Sequence, residues 1–145
     1  MRILGIDLGT KTMGVAITDN TTTIVSPLLN FEFSQNNYLA CINKLKTIDK
    51  DYRGEIKMIV LGYPTKMSGE KTDWTRTVEK FALSLKETFP SIEIKFQDER
   101  MTTIKAVTFL KEDMGLRASQ IKKIKDKMSA VVILQEYLES TSWQN

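Results

Sequence analysis

The chain opens on a segment that is apolar at nearly every position from Arg2 to Leu8, interrupted by one carboxylate, Asp7, close to its end. A strand apolar on both faces belongs in the middle of a covered sheet, so this segment is expected to be central. Gly14 to Thr18 and then Thr22 to Pro27 are β-rich and separated by Thr18-Asp19-Asn20-Thr21, which predicts an antiparallel meander of three strands. The period then lengthens. Between Gln35 and about Lys50, Leu39, Ile42, Leu45 and Ile48 recur at three-residue steps, an amphipathic helix that Ser34 could cap. Ile56 to Leu61 returns to strand, and Gly62-Tyr63-Pro64-Thr65-Lys66-Met67-Ser68-Gly69 reads as a loop. Trp74 to Phe89 resumes helical spacing through Val78, Phe81, Ala82 and Leu85, and Pro90 closes it. Ile92, Ile94 and Phe96 alternate with Glu93, Lys95 and Gln97, a half-buried strand running into Asp98-Glu99-Arg100. Thr102 or Thr103 can cap a helix through Val107 and Leu110, and Glu112 to Ser119 reads as a connection containing Gly115. A last helix is expected from about Asp126 to Glu139, its stripe of Ile124, Met128, Val131 and Leu138 facing the sheet.

Three strands followed by strands alternating with helices imply an α/β protein: a mixed five-stranded sheet, antiparallel first and then joined by parallel crossovers, flanked by helices. This order resembles that of the RNase H-like fold. In such sheets ligands gather where strand ends converge, which would bring Asp7 to the Asp98-Glu99 turn.

Composition narrows the chemistry. At 145 residues with 41% hydrophobic content, the chain fits a single domain, 1–145, with one sizeable core. Lysine plus arginine exceed aspartate plus glutamate by 21 to 18, a net charge of +3 that permits nucleic-acid binding without requiring it. The single cysteine, Cys41, excludes an internal disulfide and reads as a packing residue. No apolar run approaches the roughly 18 residues needed to span a bilayer, and Met1-Arg2 leads straight into a strand, so a cytoplasmic protein with no membrane partner is expected. The chain has no histidine, which excludes a His-based triad and most zinc sites and leaves carboxylates as the main titratable groups.

Asp7 is the first of these. An ionised carboxylate in a central strand is costly unless a cation or backbone donors lie beside it. Gly9 permits close backbone approach and Thr10 offers a hydroxyl, so Asp7-Leu8-Gly9-Thr10 reads as a phosphate-proximal turn; the alternative is that Asp7 caps a hairpin turn. Asp126, taken alone, reads first as an N-cap in the first turn of the last helix. From Arg117 to Lys127 the basic residues Arg117, Lys122, Lys123, Lys125 and Lys127 face one acid, Asp126, either as a solvated helix face or as a grip on a nucleic-acid backbone. Lys11 and Lys66 are further candidates on loops. Tyr63 and Trp74 could stack on unpaired bases or anchor packing.

Ile6-Asp7-Leu8-Gly9-Thr10-Lys11, Gly62-Tyr63-Pro64 through Gly69, Asp98-Glu99-Arg100-Met101-Thr102-Thr103 and Asp126 to Leu134 together resemble the four blocks of the YqgF family, also called RuvX, in order and over nearly the whole chain. The resemblance implies an RNase H-like nuclease that matures the end of precursor 16S ribosomal RNA, with resolution of four-way DNA junctions as the alternative. It also implies an acidic triad of Asp7, Glu99 and Asp126. Lys66 departs from the family pattern, which more often has asparagine there. Hydrolysis of a phosphodiester needs an activated water and a stabilised leaving oxygen, and two magnesium or manganese ions about 4 Å apart serve both. Magnesium is a hard cation held by carboxylates and waters, which suits three acids in a histidine-free chain. Beside the triad, Asp98 would orient Arg100 or cap at Thr102, while Arg100 would contact phosphate or pair with Asp98 or Glu99. The expected partner is nucleic acid and the expected state a monomer or weak homodimer, since no spare apolar helix offers a dimer interface. Two rivals stand. Asp7-Leu8-Gly9-Thr10 also resembles the first phosphate loop of actin, Hsp70 and sugar kinases, although the chain has no second such loop; a silent nucleic-acid-binding module is the other, against which all three acids argue.

Overall fold

The computed structural model describes residues 1–99, 115 and 117–141, with side chains from residue 128 onward in the last stretch. The first strand, β1 (Arg2–Leu8), lies where its apolar character requires, in the middle of a sheet. On one side it pairs antiparallel with β2 (Thr12–Thr18), which pairs antiparallel with β3 (Val25–Glu32). On the other it pairs parallel with β4 (Ile56–Tyr63), which pairs parallel with β5 (Glu93–Asp98), so the order is β3-β2-β1-β4-β5. Helices α1 (Tyr38–Asp51) and α2 (Asp73–Thr88) cover one face, and α3 (Ala118–Thr141) covers the other. The mixed sheet inferred from the sequence is the sheet observed.

Strand alternation sorts the two cores. Leu4, Ile6 and Leu8 of β1 join Ile59 and Leu61 of β4 beneath α1 and α2. Ile3, with Ala16 and Val60, packs instead against Ala130, Ile133 and Leu134 of α3. Ile133 and Leu134 are wholly buried, and each such side chain contributes about 1.5–3 kcal/mol by leaving water. Gly5 faces the same helix: a Cβ there would stand 2.7 Å from Leu134 Cβ and 2.9 Å from the Ala130 carbonyl oxygen. The glycine lets α3 lie directly on β1.

Several element bounds differ from the sequence reading, each for a local reason. The third strand spans Val25–Glu32 rather than Thr22 to Pro27. The Asp19 carboxylate accepts from the Thr21 hydroxyl (2.7 Å) and from the backbone N–H of Thr23 (2.7 Å) and Ile24 (3.1 Å), which holds 19–24 as a turn. Pro27 is tolerated because β3 is an edge strand. Asn37, not Ser34, caps α1 by accepting from Ala40 N–H, and Leu39 is 67% exposed while Cys41 takes its place in the core. A strict three-residue step drifts around a helix of 3.6 residues per turn, so four-residue steps must intervene. Burial pushes the Cys41 thiol up to about 12. The α2 stripe is as expected, with Val78, Phe81, Ala82 and Leu85 buried and Thr72 forming a reciprocal capping box with Thr75. The last helix begins at Ala118, not near Asp126. Asp126 is therefore an interior residue of α3, and the N-cap reading fails. The buried stripe is Ala130, Ile133 and Leu134, with Val131, Tyr137 and Leu138 at its margin. Thr102, Thr103, Val107 and Leu110 lie outside the described residues.

Candidate active site

Because β1, β4 and β5 run parallel, their C-terminal ends share one edge of the sheet. Asp7 is the last-but-one residue of β1, Gly62 the last-but-one of β4, and Glu99 follows Asp98 at the end of β5. Alternation turns Asp7, like Ile3 and Gly5, to the α3 face. Gly62 shares that face with Val60: a Cβ on Gly62 would meet Glu99 Oε2 at 2.5 Å and Ile133 Cδ1 at 2.7 Å. The carboxylate of Glu99 thus lies on the bare backbone of β4, where any side chain would displace it. Its own N–H donates to the Tyr63 carbonyl at 3.3 Å, continuing the β4–β5 ladder by one rung.

Burial raises the Glu99 carboxyl most, the negative charge of Asp7 and a hydrogen bond with Asp7 raise it further, and Asp98 adds a smaller push, to about 8. At neutral pH Glu99 therefore holds its proton and donates it in a hydrogen bond to the Asp7 carboxylate. Two acids from residues distant in sequence meet as the sheet order implied. Asp98 pairs across the ladder with Tyr63 and is exposed; it acts on Glu99 through its charge. Among the described residues no three acids or cysteines form a group able to hold a metal ion. The side chain of Asp126 and the whole of Arg100 lie outside them.

Gly62 is a residue the sequence reading assigned to a loop, whereas it lies inside β4, which runs on to Tyr63. The signal was present, since glycine inside an apolar strand marks close approach by another group.

The model of the RuvX family, described as Holliday junction resolvase, matches residues 1–140. This chain belongs to the RuvX family. Relatives carrying the name "Putative pre-16S rRNA nuclease" include one from Ureaplasma parvum serovar 3, 45% identical over 142 residues covering 95% of this chain and 96% of that protein. Another, from Mycoplasmopsis pulmonis, is 43% identical over 141 residues, covering 97% and 94%. A third, from Thermoanaerobacter pseudethanolicus, is 40% identical over 140 residues, covering 97% of each. Among solved structures, the fowlpox virus Holliday junction resolvase superposes with a TM-score of 0.55 at 14% identity over 97% of this chain and 99% of that one. Thermus thermophilus RuvC superposes with a TM-score of 0.53 at 10% identity over 98% and 97%. Likeness at that identity establishes the fold, which is RNase H-like.

Around the acid pair of this RuvX chain, the turn from β1 to β2 is closed by Gly9 N–H donating to the Thr12 carbonyl at 2.7 Å. The Thr10 and Lys11 carbonyls accept from the Asn36 and Phe33 N–H groups, which leaves the exposed Thr10 and Lys11 on a fixed turn three and four residues beyond Asp7. Lys66 is exposed on the loop after β4, 3.7 Å from Glu70. Arg117 is exposed just before α3, and the side chains of Lys122, Lys123, Lys125 and Lys127 fall outside the described residues. Trp74 is a packing residue, its ring 6.3 Å from Tyr38 and set against the core, not a free platform for a base. Tyr63 is likewise engaged, with its ring 4.7 Å from Phe96 and its hydroxyl donating to Glu79 at 3.1 Å. No described helix is long and apolar enough to cross a membrane.

Proposed function

We propose that the chain is a single-domain, metal-dependent endonuclease that hydrolyses phosphodiester bonds in precursor 16S ribosomal RNA, with Asp7, Glu99 and Asp126 as its catalytic acids. The observation that carries this reading is the hydrogen-bonded contact of Asp7 with Glu99 at the C-terminal edge of three parallel strands. Two carboxylates forced together, one raised to about 8, are held at a cost that a divalent cation between them would remove. An all-oxygen donor set in a histidine-free chain suits magnesium or manganese. Asp7, Glu99 and Asp126, one turn ahead of Ala130 on α3, would hold one or two such ions. Bound there, the metal supplies positive charge that makes a water nucleophilic and offsets charge on the phosphate oxygens.

The residues of the chain do the rest. Asp7 and Glu99 meet at the C-terminal edge of the parallel strands, where a phosphodiester would approach them. Lys11 and Lys66 offer ammonium groups to flanking phosphates from the two loops beside that edge, and Thr10 a hydroxyl. Arg117, Lys122, Lys123 and Lys125 extend the positive path along α3, and Arg100 follows Glu99 directly. An enzyme with this substrate works in the cytoplasm, where ribosomes are assembled.

The description of the family model favours a second reading, resolution of four-way DNA junctions. That reaction needs two coordinated cuts and two sites related by a twofold axis, whereas trimming an RNA end needs one. We assign the chain as a monomer or weak dimer acting on RNA. The deciding experiment is single-turnover cleavage of a precursor 16S fragment and of a four-way junction, with magnesium, manganese or chelator, beside solution mass at the working concentration. Metal-dependent trimming of the RNA by a monomer supports the proposal. A stable dimer making paired, symmetric nicks in the junction faster than it trims RNA overturns the substrate and keeps the acids.

A further inference from the structure

Behind the acid pair, on the opposite face of the sheet, one carboxylate oxygen holds both ends of the loop that joins β4 to α2. Glu79 Oε2 accepts from the Tyr63 hydroxyl at 3.1 Å and from the Lys71 ammonium at 2.9 Å. Tyr63 is the last residue of β4, and Lys71 stands just ahead of the Thr72 cap of α2. Between them the loop folds on itself, with Lys66 N–H donating to the Glu70 carbonyl at 3.0 Å and Gly69 N–H to the Lys66 carbonyl at 2.7 Å. The Thr75 hydroxyl donates to the Pro64 carbonyl. The Tyr63 and Pro64 bonds tie the end of β4 to α2, and the bonds within the loop close the span between them.

That strand end is also the floor of the site. Gly62 leaves only the space that Glu99 fills, and the Tyr63 carbonyl receives the Glu99 N–H. We propose that Glu79 is a positioning residue which, by gripping Tyr63 and Lys71 together, sets the end of β4 and with it the stance of the Glu99 carboxylate; the inference rests on Glu99 being a catalytic acid. An exposed ion pair contributes little stability, so a clamp of this kind is explained better by placement than by strength. Lys71 holds the Glu79 carboxyl below its ordinary range, and the Tyr63 hydroxyl lowers it further, so the acceptor is ionised at neutral pH. Misplacing a catalytic group by a fraction of an ångström affects the chemical step more than ground-state binding.

The test compares Glu79→Ala, Glu79→Gln, Tyr63→Phe and Glu99→Gln in steady-state RNA cleavage and thermal melting. Glu79→Ala should lower kcat about tenfold with KM within about twofold, and Tyr63→Phe should lower kcat about threefold. Glu79→Gln, whose amide oxygen still accepts from both partners, should recover most of the loss. Wild-type kcat in Glu79→Ala beside an inactive Glu99→Gln overturns the clamp and keeps the site. A loss in Glu79→Ala that follows melting temperature and is equal in Glu79→Gln also overturns it, as plain destabilisation. Full turnover in Glu99→Gln sinks the site reading itself.

Discussion

Glu99 is a carboxyl that keeps its proton at neutral pH, because burial and Asp7 both oppose its charge. Unfolded, it would titrate near 4.5; folded, near 8. Between those values the folded chain binds more protons than the unfolded one, so this group's contribution to stability falls as pH rises from about 4.5 to 8. Metal-free protein should therefore melt at progressively lower temperature across that window, and Glu99→Gln should flatten the slope. A pH-independent melting temperature in the wild type would contradict the pairing. Removing the Asp7 charge, which opposes ionisation of Glu99, also predicts that Asp7→Asn melts higher than wild type without metal and gains less from added magnesium. For catalysis, Asp7→Asn, Glu99→Gln and Asp126→Asn should each slow cleavage about a thousandfold, since each loses a carboxylate proposed to hold the metal. Near-normal turnover in any one of them removes that residue from the triad.

At the scale of elements, two glycines on the α3 face separate structure from function. At Gly5 an added methyl would meet the Ala130 carbonyl and Leu134 Cβ, neither of which can move without shifting α3. Gly5→Ala should therefore cost about 1–3 kcal/mol of stability, measurable by denaturant unfolding. At Gly62 one of the atoms in the way is the far end of a flexible side chain, Glu99 Oε2. Gly62→Ala should evict that carboxylate, lowering kcat at least tenfold while melting falls less than for Gly5→Ala. Equal losses of stability with unequal losses of activity in the reverse order would refute this division. The helix that sits on these glycines also carries Lys122, Lys123 and Lys125 in its sequence. Changing Lys122, Lys123 and Lys125 together to glutamine should weaken RNA binding and reduce its log-log salt slope, by up to about 0.9 per lost phosphate contact on a duplex and less on single strands. An unchanged slope would make them a solvated face.

At the scale of the whole molecule, topology gathers the acid pair at one sheet edge. Parallel pairing of β1, β4 and β5 brings three strand ends together, and alternation turns Asp7, Gly62 and Glu99 to the face that α3 covers. The opposite face carries α1, α2 and the Glu79 clamp, so the site is supported from behind by elements that do not enter it.

Much of this was written in local pattern. The continuous apolar run of β1, the period of α2 and the acids at the ends of β1 and β5 follow from neighbouring residues, and the element order was enough to imply the sheet and the meeting of Asp7 with Asp98-Glu99. The same local signals misjudged what depends on partners: Leu39, apolar but exposed; the start of α3, eight residues before Asp126; and Gly62, taken for a loop residue. The physical reason is range. Periodicity and capping report contacts within a few residues, whereas the proton shared by Glu99 and Asp7, and the bare strand beneath it, exist only once packing brings residues 7, 62 and 99 together.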